Sequence, residues 1–559
     1  MNQMAKPVAA VPVTSWLTPF TPKIVTMLRE GYTAADFRAD ALAGLTVAIV
    51  ALPLSMAIAI GSGLTPERGL FTAVVGGFLI SALGGSRHQI GGPAGAFIVL
   101  VASIVERHGY DGLVLATMLA GLMMIVAGAC KAGRIIHFIP FPVIVGFTAG
   151  IAAIIFASQI RDLFGLDLVK EPSALLPKLV ALSKVIGTIK PATIALSATG
   201  IAIILGLRRW RPKWPAFLIA VVALAAISVL LKLDVATIGS RFGSVPSMLP
   251  APRLPAFDLA LVIKVLPDAM AIALLGAIES LLSAVVADGM TRRRHRSNIE
   301  LVAQGVANVA AVAFGGLCVT GTIARTATNV RAGARTPVAG ILHAVYLMLF
   351  MLVAAPLAAY IPLAALGAVL AIVAWNMADL DEFKHLIRTS WADAAIVLAT
   401  FGLTVFWDLT VGIATGVALS VALTARHMRD RVDVSTAADA AMSGDDQART
   451  DGVVVYRISG ALHFGATATV TKVLDQVGAH PTLVVLDVSA VRHVDTTAAK
   501  AIARFAAKLA TGHTRLRIAG ARADVRHDLI RAGVRAPIAR YVSLADAAPA
   551  SGTAAAGLP

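Results

Sequence analysis

Long runs without a charged side chain set the strongest limit on how this chain folds. Residues 41–63 read ALAGLTVAIVALPLSMAIAIGSG and contain no ionisable group. A helix of this length crosses the ~30 Å hydrocarbon core of a bilayer. Similar runs recur as far as Thr424, and 57% of all residues are hydrophobic while 14% are charged. The lipid bilayer is therefore the expected solvent, and an ordinary soluble globular protein is excluded.

Apolar runs between charged clusters and Gly/Pro breaks predict about 14 helical membrane segments. Their predicted centres are residues 50, 77, 99, 120, 150, 198, 222, 273, 306, 328, 346, 368, 400 and 417. After Arg426 the sequence becomes polar and then alternates between strand and helix patterns. The predicted organisation is an N-terminal segment at 1–35, a transmembrane domain at 36–428, a linker at 429–450, an α/β domain at 451–546 and a disordered tail at 547–559.

The basic residues predict membrane topology rather than nucleic-acid binding. The formal net charge is +16, but the basic residues form short clusters between apolar runs. Cytoplasmic loops of membrane proteins carry such an excess of Lys and Arg. The clusters that fall on one predicted side are Arg87, Lys131 with Arg134, residues 208–213, residues 292–296 and Arg331 with Arg335. We therefore expect a multi-pass protein of the cell membrane with both termini in the cytoplasm and no nucleic-acid partner.

Two short segments, near residues 99 and 328, follow glycine-rich stretches. These stretches read GGSRHQIGGPAGAF and FGGLCVTGTIARTATN. Helices that begin inside the membrane are typical of substrate sites in transporters, because each free N-terminus carries about half a positive charge. The stretches predict two such half-helices and an anion site lined by Ala94, Gly95, Ala96, Phe97 and Thr322. Ordinary spans with a flexible entry, whose small residues only permit tight helix packing, are the alternative.

Two ionisable residues inside apolar segments are the strongest functional candidates. Glu279 lies in AIALLGAIESLLSAVVA, and Arg325 lies in the second short segment. A lone charge is costly in hydrocarbon, so these residues are expected to bind the substrate or a coupling ion, with a structural ion pair as the alternative. Ser283 follows Glu279 by one helical turn and is a further oxygen ligand for a coupling ion.

Charge arithmetic suggests how the site is coupled to a cation. Two helix starts at about +0.5 each, Arg325 and an ionised Glu279 sum to about +1, and protonation of Glu279 raises this sum to about +2. A proton is the expected coupling ion. The sequence contains no metal-ligand spacing, nucleophile constellation or Walker motif, so we expect no enzyme, ATP-driven pump, metal site or cofactor.

The membrane region resembles the sulfate permease (SulP) family of anion transporters. The resemblance rests on DALAGLTVAIVALPLSMAIA, on GGPAGAF, and on GAIESLL followed by FGGLCVTGTIARTATNVRAGARTPVAGI. The layout of the two halves, each with a glycine-rich break before a short helix, agrees with it. The resemblance implies 14 segments as 7+7 inverted repeats, core and gate domains that move as an elevator, a homodimer, and a site framed by residues 94–97, residues 322–325 and Glu279.

This chain departs from the family pattern at several positions in or near that site. Leu54 follows Pro53 where the family often has Gln or Glu, which leaves Ser55 as the polar neighbour and a further candidate anion-binding residue. Ala324 replaces a frequent serine. Sodium-coupled bicarbonate members use Asp at the position of Glu279 and a hydroxyl near Ile323, so the resemblance favours a proton over sodium.

The C-terminal region resembles a STAS domain. It contains LDVSAVRHVDTTAA, which is similar to the motif LDxSxVxxIDxTA. In related antagonists of anti-sigma factors the residue after the second Asp is phosphorylated, which implies a regulatory phosphorylation site at Thr496. The alternative is that Thr496 caps the helix that follows.

Three functions remain open from the sequence. The leading one is proton-coupled symport or exchange of sulfate, bicarbonate or a dicarboxylate. A nucleobase:proton symporter of the same general architecture is the second, although Arg325 and the STAS-like domain speak against it. The third is a membrane receptor or scaffold that transports little.

Overall fold

The structure is a computed structural model of the whole chain. It describes residues 20–133, 140–168, 171–172, 174–212, 214–253, 255, 258–291, 293–407, 409–425, 433–436, 453–462, 483–511 and 514–543. The predicted tail at 547–559, most of the predicted linker at 429–450 and the first 19 residues of the predicted N-terminal segment lie outside the described residues.

The first half of the membrane region is helical apart from one short strand. Its elements are α1 (Lys23–Glu30), α2 (Ala34–Gly61), α3 (Pro66–Phe71), a π-helical turn (Thr72–Gly76), α4 (Gly77–Leu83), β1 (Gly91–Gly92), a 3₁₀ turn (Gly95–Phe97), α5 (Ile98–Ala129), α6 (Phe141–Phe164), α7 (Leu175–Lys184), α8 (Pro191–Trp210), α9 (Ala216–Leu230) and α10 (Ile238–Phe242).

The second half also contains a two-residue strand that is followed by a helix. Its elements are α11 (Leu259–Thr291), α12 (Ser297–Ala313), β2 (Thr320–Gly321), α13 (Ile323–Arg331), α14 (Val338–Ala358), α15 (Leu363–Ala378), α16 (Leu380–Thr389), α17 (Trp391–Phe406) and α18 (Leu409–Ala425). Each of the predicted segment centres lies in a helix, and the polytopic helical fold class is confirmed.

Only some of the membrane helices span a bilayer by their own length. Seven described helices are long and apolar enough: Ala34–Gly61, Gly95–Ala129, Phe141–Phe164, Pro191–Trp210, Leu259–Thr291, Val338–Ala358 and Leu363–Arg388. The remaining predicted segments are shorter or interrupted. In α5 the backbone of Gly109 is non-helical (φ 67°), so the helix bends there into two segments. The predicted segments near 99 and 120 are the two arms of this bend.

Local sequence explains where α2 begins. Thr33 and Asp36 form a capping box, in which the Asp36 amide donates to Thr33 Oγ1 (3.2 Å) and the Thr33 amide donates to Asp36 Oδ2 (3.1 Å). These bonds satisfy N–H groups that the first turn leaves free. The helix then runs through the uncharged stretch and past Pro53.

The chain forms two compact units. The first contains residues 1–134 and 190–369, and the second contains residues 135–189 and 370–559. The strands β1 and β2 and the helices that follow them lie in the first unit. The C-terminal domain lies in the second unit together with α6, α7 and α16–α18.

In the first unit α5 and α12 pack with their backbones in close contact. A Cβ atom on Gly121 would lie 2.7 Å from the carbonyl oxygen of Gly305, and a Cβ on Gly305 would lie 2.6 Å from Cγ1 of Ile125. Small residues drive such helix contacts in membranes, where lipid offers no hydrophobic gain for helix association.

The C-terminal domain is α/β, as the sequence pattern predicts. Its sheet contains β3 (Asp433–Thr436), β4 (Val453–Leu462), β5 (Leu483–Val494), β6 (Arg515–Ala519) and β7 (Arg540–Val542) in chain order. β3 is antiparallel to β4, and the remaining neighbours are parallel. Helices α19 (Thr496–Thr511) and α20 (Ala523–Arg531) follow β5 and β6. Ile458, Leu486, Ile502 and Ile518 lie in its hydrophobic core.

One carboxylate in this sheet is held in its ionised form. Burial alone would raise the pKa of Asp487. Hydrogen bonds from the Ser489 side chain and amide and from Arg457 outweigh burial and hold the pKa of Asp487 below its ordinary value. A group with a lowered folded-state pKa stabilises the fold at neutral pH, and this contribution is lost as the pH falls through that lowered value.

Gly305→Val tests the close packing of α5 on α12. The added methyl groups would overlap the partner helix, and overpacking of this kind costs about 1–3 kcal/mol. We expect a clearly lower melting temperature in detergent, measured by fluorescence-detected size-exclusion chromatography. The control is Gly289→Val in α11, where an added Cβ meets nothing within 4 Å. Equal melting temperatures for the two variants would contradict the tight contact.

Candidate functional site

The two glycine-rich breaks meet in a short antiparallel strand pair. Gly91 of β1 is opposite Gly321 of β2, and Gly92 is opposite Thr320. The Thr322 amide extends the pairing by donating to the Ile90 carbonyl (3.0 Å). The chain enters the 3₁₀ turn that leads into α5 after β1, and it enters α13 after β2. Because the strands are antiparallel, the two helices leave the pair in opposite directions with both N-termini beside it.

Both helix starts lack a side-chain cap. Ala94 precedes the first turn and Thr322 precedes α13, and neither side chain accepts a hydrogen bond from the helix that follows. The first amide groups of such a helix carry the positive end of its dipole. Two neighbouring starts therefore favour negative charge at this place.

Arg325 brings a full positive charge to the same place. Its side chain is buried, and Nη2 donates to Ser55 Oγ (3.1 Å) and to the Pro93 carbonyl (3.3 Å). The Nε and Nη1 atoms of Arg325 are buried without a hydrogen-bond partner among the described residues. A Cβ atom on Gly92 would overlap Nη1 of Arg325. The guanidinium thus lies against the first break and keeps donors for a further acceptor.

The predicted lining residues differ in exposure. Ala94, Ala96 and Phe97 are buried, and Gly95 is half-buried. On α13, Ile323 is 42% exposed and Ala324 is also exposed. Arg325, its neighbour Thr326 and Asn329 one turn further on form the buried face of that helix. The structure therefore places Ile323 and Ala324 on a different face of α13 from Arg325.

Glu279 and Ser283 lie on α11, which packs against α5 and α13. Glu279 is half-buried, and no ion pair joins it to Arg325 in the described part of the chain. The described residues therefore do not contain the structural ion pair between Glu279 and Arg325 that was the alternative. Ser283 is buried and donates to Thr326 Oγ1 (2.9 Å), so its hydroxyl ties α11 to α13.

A buried carboxylate close to these strands was not predicted from the sequence. Glu300 of α12 is fully buried and accepts hydrogen bonds from the segment that leads into β1. The basic run at 292–296 predicts a cytoplasmic loop, and Glu300 lies only four residues beyond it. A helical spacing could have identified it, because Glu300, Gln304 and Asn308 recur every four residues on one buried face of α12.

Thr496 lies at the first turn of α19 in the second unit. The helix is capped by Asp495, whose Oδ1 accepts from the Ala498 amide (2.8 Å), so the capping role for Thr496 is wrong. The Thr496 hydroxyl instead donates to Oδ2 of Asp393 at the start of α17 (2.5 Å). On the next turn Lys500 pairs with Glu382 of α16. Thr496 therefore takes part in docking the C-terminal domain onto the helices of the second unit.

The family model for the sulfate permease family matches residues 37–400, and the STAS domain model matches residues 446–547. The chain belongs to the sulfate permease family. A proposed sulfate transporter of Bacillus subtilis, YvdB, is 38% identical over 90% of this chain and 95% of its own length. The family comprises transporters rather than enzymes.

Bicarbonate transporters occur both among the sequence relatives and among the solved structures that this chain resembles. BicA of Synechocystis is 31% identical over 84% of this chain and 85% of its own length. The solved transmembrane domain of a cyanobacterial BicA has a TM-score of 0.63 and 32% identity, and the match covers 68% of this chain and 98% of that one. This chain is a multi-pass membrane protein of an anion transporter family. Sulfate and bicarbonate, for which these relatives are named, are both small oxyanions.

Gly92→Ala tests whether the glycine at the break is needed to admit the Arg325 side chain. The new methyl group would displace the guanidinium from Ser55 and Pro93, at a cost of about 1–3 kcal/mol for overpacking. We expect a lower melting temperature in detergent. Gly206→Ala in α8 is the control, because its Cβ would make only ordinary contacts with Trp210 (3.7 Å). Equal stability of both variants would contradict the contact.

Proposed function

We propose that this chain is a secondary active transporter of a small oxyanion of the sulfate or bicarbonate class, driven by a proton gradient or by anion exchange. The observation that carries the proposal is the buried Arg325 guanidinium. Two of its nitrogens have no hydrogen-bond partner among the residues that the structure describes, and they lie beside two uncapped helix starts. An oxyanion would accept from these donors and neutralise them. An uncharged nucleobase would leave the buried charge unpaired, which is costly in a membrane.

The proposed anion site is framed by residues 94–97, by Thr322 and by Arg325, with Ser55 orienting the guanidinium. Backbone amides and a forked guanidinium together match the several oxygens of a tetrahedral or planar anion. Ile323 and Ala324 lie on the exposed face of α13, away from Arg325, so we leave them out of the proposed site. The small side chains at 94–96 let the anion approach the backbone closely.

Glu279 is the proposed coupling residue. It lies on the helix that contacts both short helices and has no cationic partner in the described residues. With the carboxylate ionised the site carries about +1 of net charge, and with Glu279 protonated it carries about +2. Protonation of Glu279 would thus strengthen anion binding and couple proton transport to anion transport. The Ser283 hydroxyl donates to Thr326, so we propose that Ser283 holds α11 against α13 and does not bind the coupling proton.

The family resemblance supplies the remaining parts of the proposal. The resemblance implies an elevator movement of a core domain past a gate domain and a homodimer, and we propose both for this chain. We further propose that both termini lie in the cytoplasm, because the basic clusters lie on one predicted side of the membrane. Phosphorylation of Thr496 would remove its hydrogen bond to Asp393 and add negative charge beside that carboxylate.

Transport assays of Arg325 variants test the anion site. Proteoliposomes that contain only this protein are loaded with labelled sulfate or bicarbonate in separate experiments. We expect Arg325→Gln to raise KM by at least about tenfold, since a charge-assisted hydrogen bond contributes ~1.5–3 kcal/mol. Arg325→Lys keeps the charge, so its KM should lie between those of the wild type and Arg325→Gln. Wild-type KM in Arg325→Gln would exclude the guanidinium from the site.

The pH dependence of Glu279→Gln tests coupling. Wild-type uptake should rise as the external pH falls, because protonation raises the positive charge of the site. The amide cannot titrate, so uptake by the variant should be independent of pH and of an imposed proton gradient. Parallel assays with a sodium gradient at constant pH separate the two cations. A variant that keeps the wild-type pH profile would remove Glu279 from the coupling role.

A further inference from the structure

Glu300 is a buried carboxylate that the proposed transport reaction does not use. Its Oε2 atom accepts from the amides of Gly85 (2.8 Å) and Ser86 (3.1 Å). Its Oε1 atom accepts from Nε2 of Gln89 (2.9 Å) and from Nε2 of Gln304 (3.1 Å). No Lys or Arg forms an ion pair with it among the residues that the structure describes. Four N–H donors therefore hold this carboxylate in place of a cation.

These bonds fix the segment that leads into β1. The segment consists of residues 85–90, and Glu300 holds its first two residues through their backbone amides. Asn329 Nδ2 donates to the His88 carbonyl (2.9 Å), and the Ile90 amide donates to Thr326 Oγ1 (3.1 Å). The later anchors thus come from α13, whereas the start of the segment is anchored by α12. Glu300 sets where the segment begins relative to the second half of the chain.

Gln89 transmits this position to the strand pair. Its Nε2 atom donates to Ser280 Oγ (2.7 Å) as well as to Glu300. A Cβ atom on Gly321 would overlap the amide of Gln89, so the Gln89 side chain lies directly against β2. Ser280 follows Glu279 on α11. Glu300 and Gln89 together therefore connect α12, α11 and both strands behind the proposed anion site.

We infer that Glu300 is a positioning residue for the anion site, which acts through Gln89 and the amides of residues 85 and 86 on the β1–β2 pair. This inference rests on the proposed function, since its readout is anion affinity. Buried polar groups of this kind must be fully paired, because the low local dielectric makes each unpaired one costly. Loss of the carboxylate leaves donors unsatisfied and lets the segment move.

Glu300→Gln is the test variant, and it has a designed rescue. A glutamine has one acceptor oxygen, so its N–H group faces either the two backbone amides or the Gln89 and Gln304 amides. In the double variant Glu300→Gln with Gln89→Glu, the new Gln accepts from Gly85 and Ser86 and donates to the new carboxylate. We expect Glu300→Gln to raise KM for labelled sulfate or bicarbonate at least about fivefold, and the double variant to return it to within about twofold of wild type.

Hydrogen–deuterium exchange of residues 84–92 provides a readout that needs no transport. We expect faster exchange in Glu300→Gln and wild-type exchange in the rescued double variant. The matched control is Gln159→Met in the second unit. Gln159 is also a buried amide, but among the described residues it donates only to the Ile155 carbonyl of its own helix (3.1 Å). It should change neither exchange of the segment nor KM.

The outcomes separate this inference from the proposed function. Unchanged KM in a folded Glu300→Gln variant overturns the inference, even if exchange is faster, because Glu300 is then only structural. A double variant no better than the single one also overturns it. If Glu300→Gln does not fold, Gln89→Met is assayed instead, and wild-type KM overturns the inference. If the wild type transports neither anion, the proposed function fails and the link from Glu300 to anion affinity fails with it. Exchange then tests only whether Glu300 holds residues 84–92, and unchanged exchange in Glu300→Gln overturns that hold as well.

Discussion

The antiparallel pairing of β1 with β2 is the contact on which the rest of the site depends. Each strand has only two residues, and three of the four are glycines. Backbone amides inside a membrane protein must find partners within the chain, because lipid offers none. The pairing satisfies them where both helices are interrupted. It thereby leaves two helix starts side by side, which no continuous helix could provide.

The glycines of the paired strands leave space that side chains from other parts of the chain occupy. Arg325 occupies the space that a Cβ on Gly92 would take, and Gln89 occupies the space at Gly321. A cation and a neutral amide thus approach the same strand pair closely. Asn308 holds the residue that precedes β2, since it donates to the Val319 carbonyl (2.8 Å) and accepts from the Val319 amide (2.9 Å).

The sequence predicted what depends on local properties and missed what depends on distant partners. Helix positions follow from length and apolarity, so every predicted segment centre lies in a helix, and the strand-helix alternation predicted the α/β class of the C-terminal domain. The strand pair carries no such signal, because two glycines have no periodicity. Glu300 was hidden by the neighbouring basic run, and the true partners of Ser283 and Thr496 lie on other helices.

The strand pair also bears on how the protein is made. The Thr322 hydroxyl and the Ile90 carbonyl that it contacts are 232 residues apart in the sequence. A chain is synthesised from its N-terminus at about 5–20 residues per second, so the first glycine-rich break emerges many seconds before its partner strand exists. Until then its amides need temporary partners, from water or from the insertion machinery. Completion of the proposed anion site is consequently a late event in biogenesis, reached only when the second half of the membrane region has been inserted.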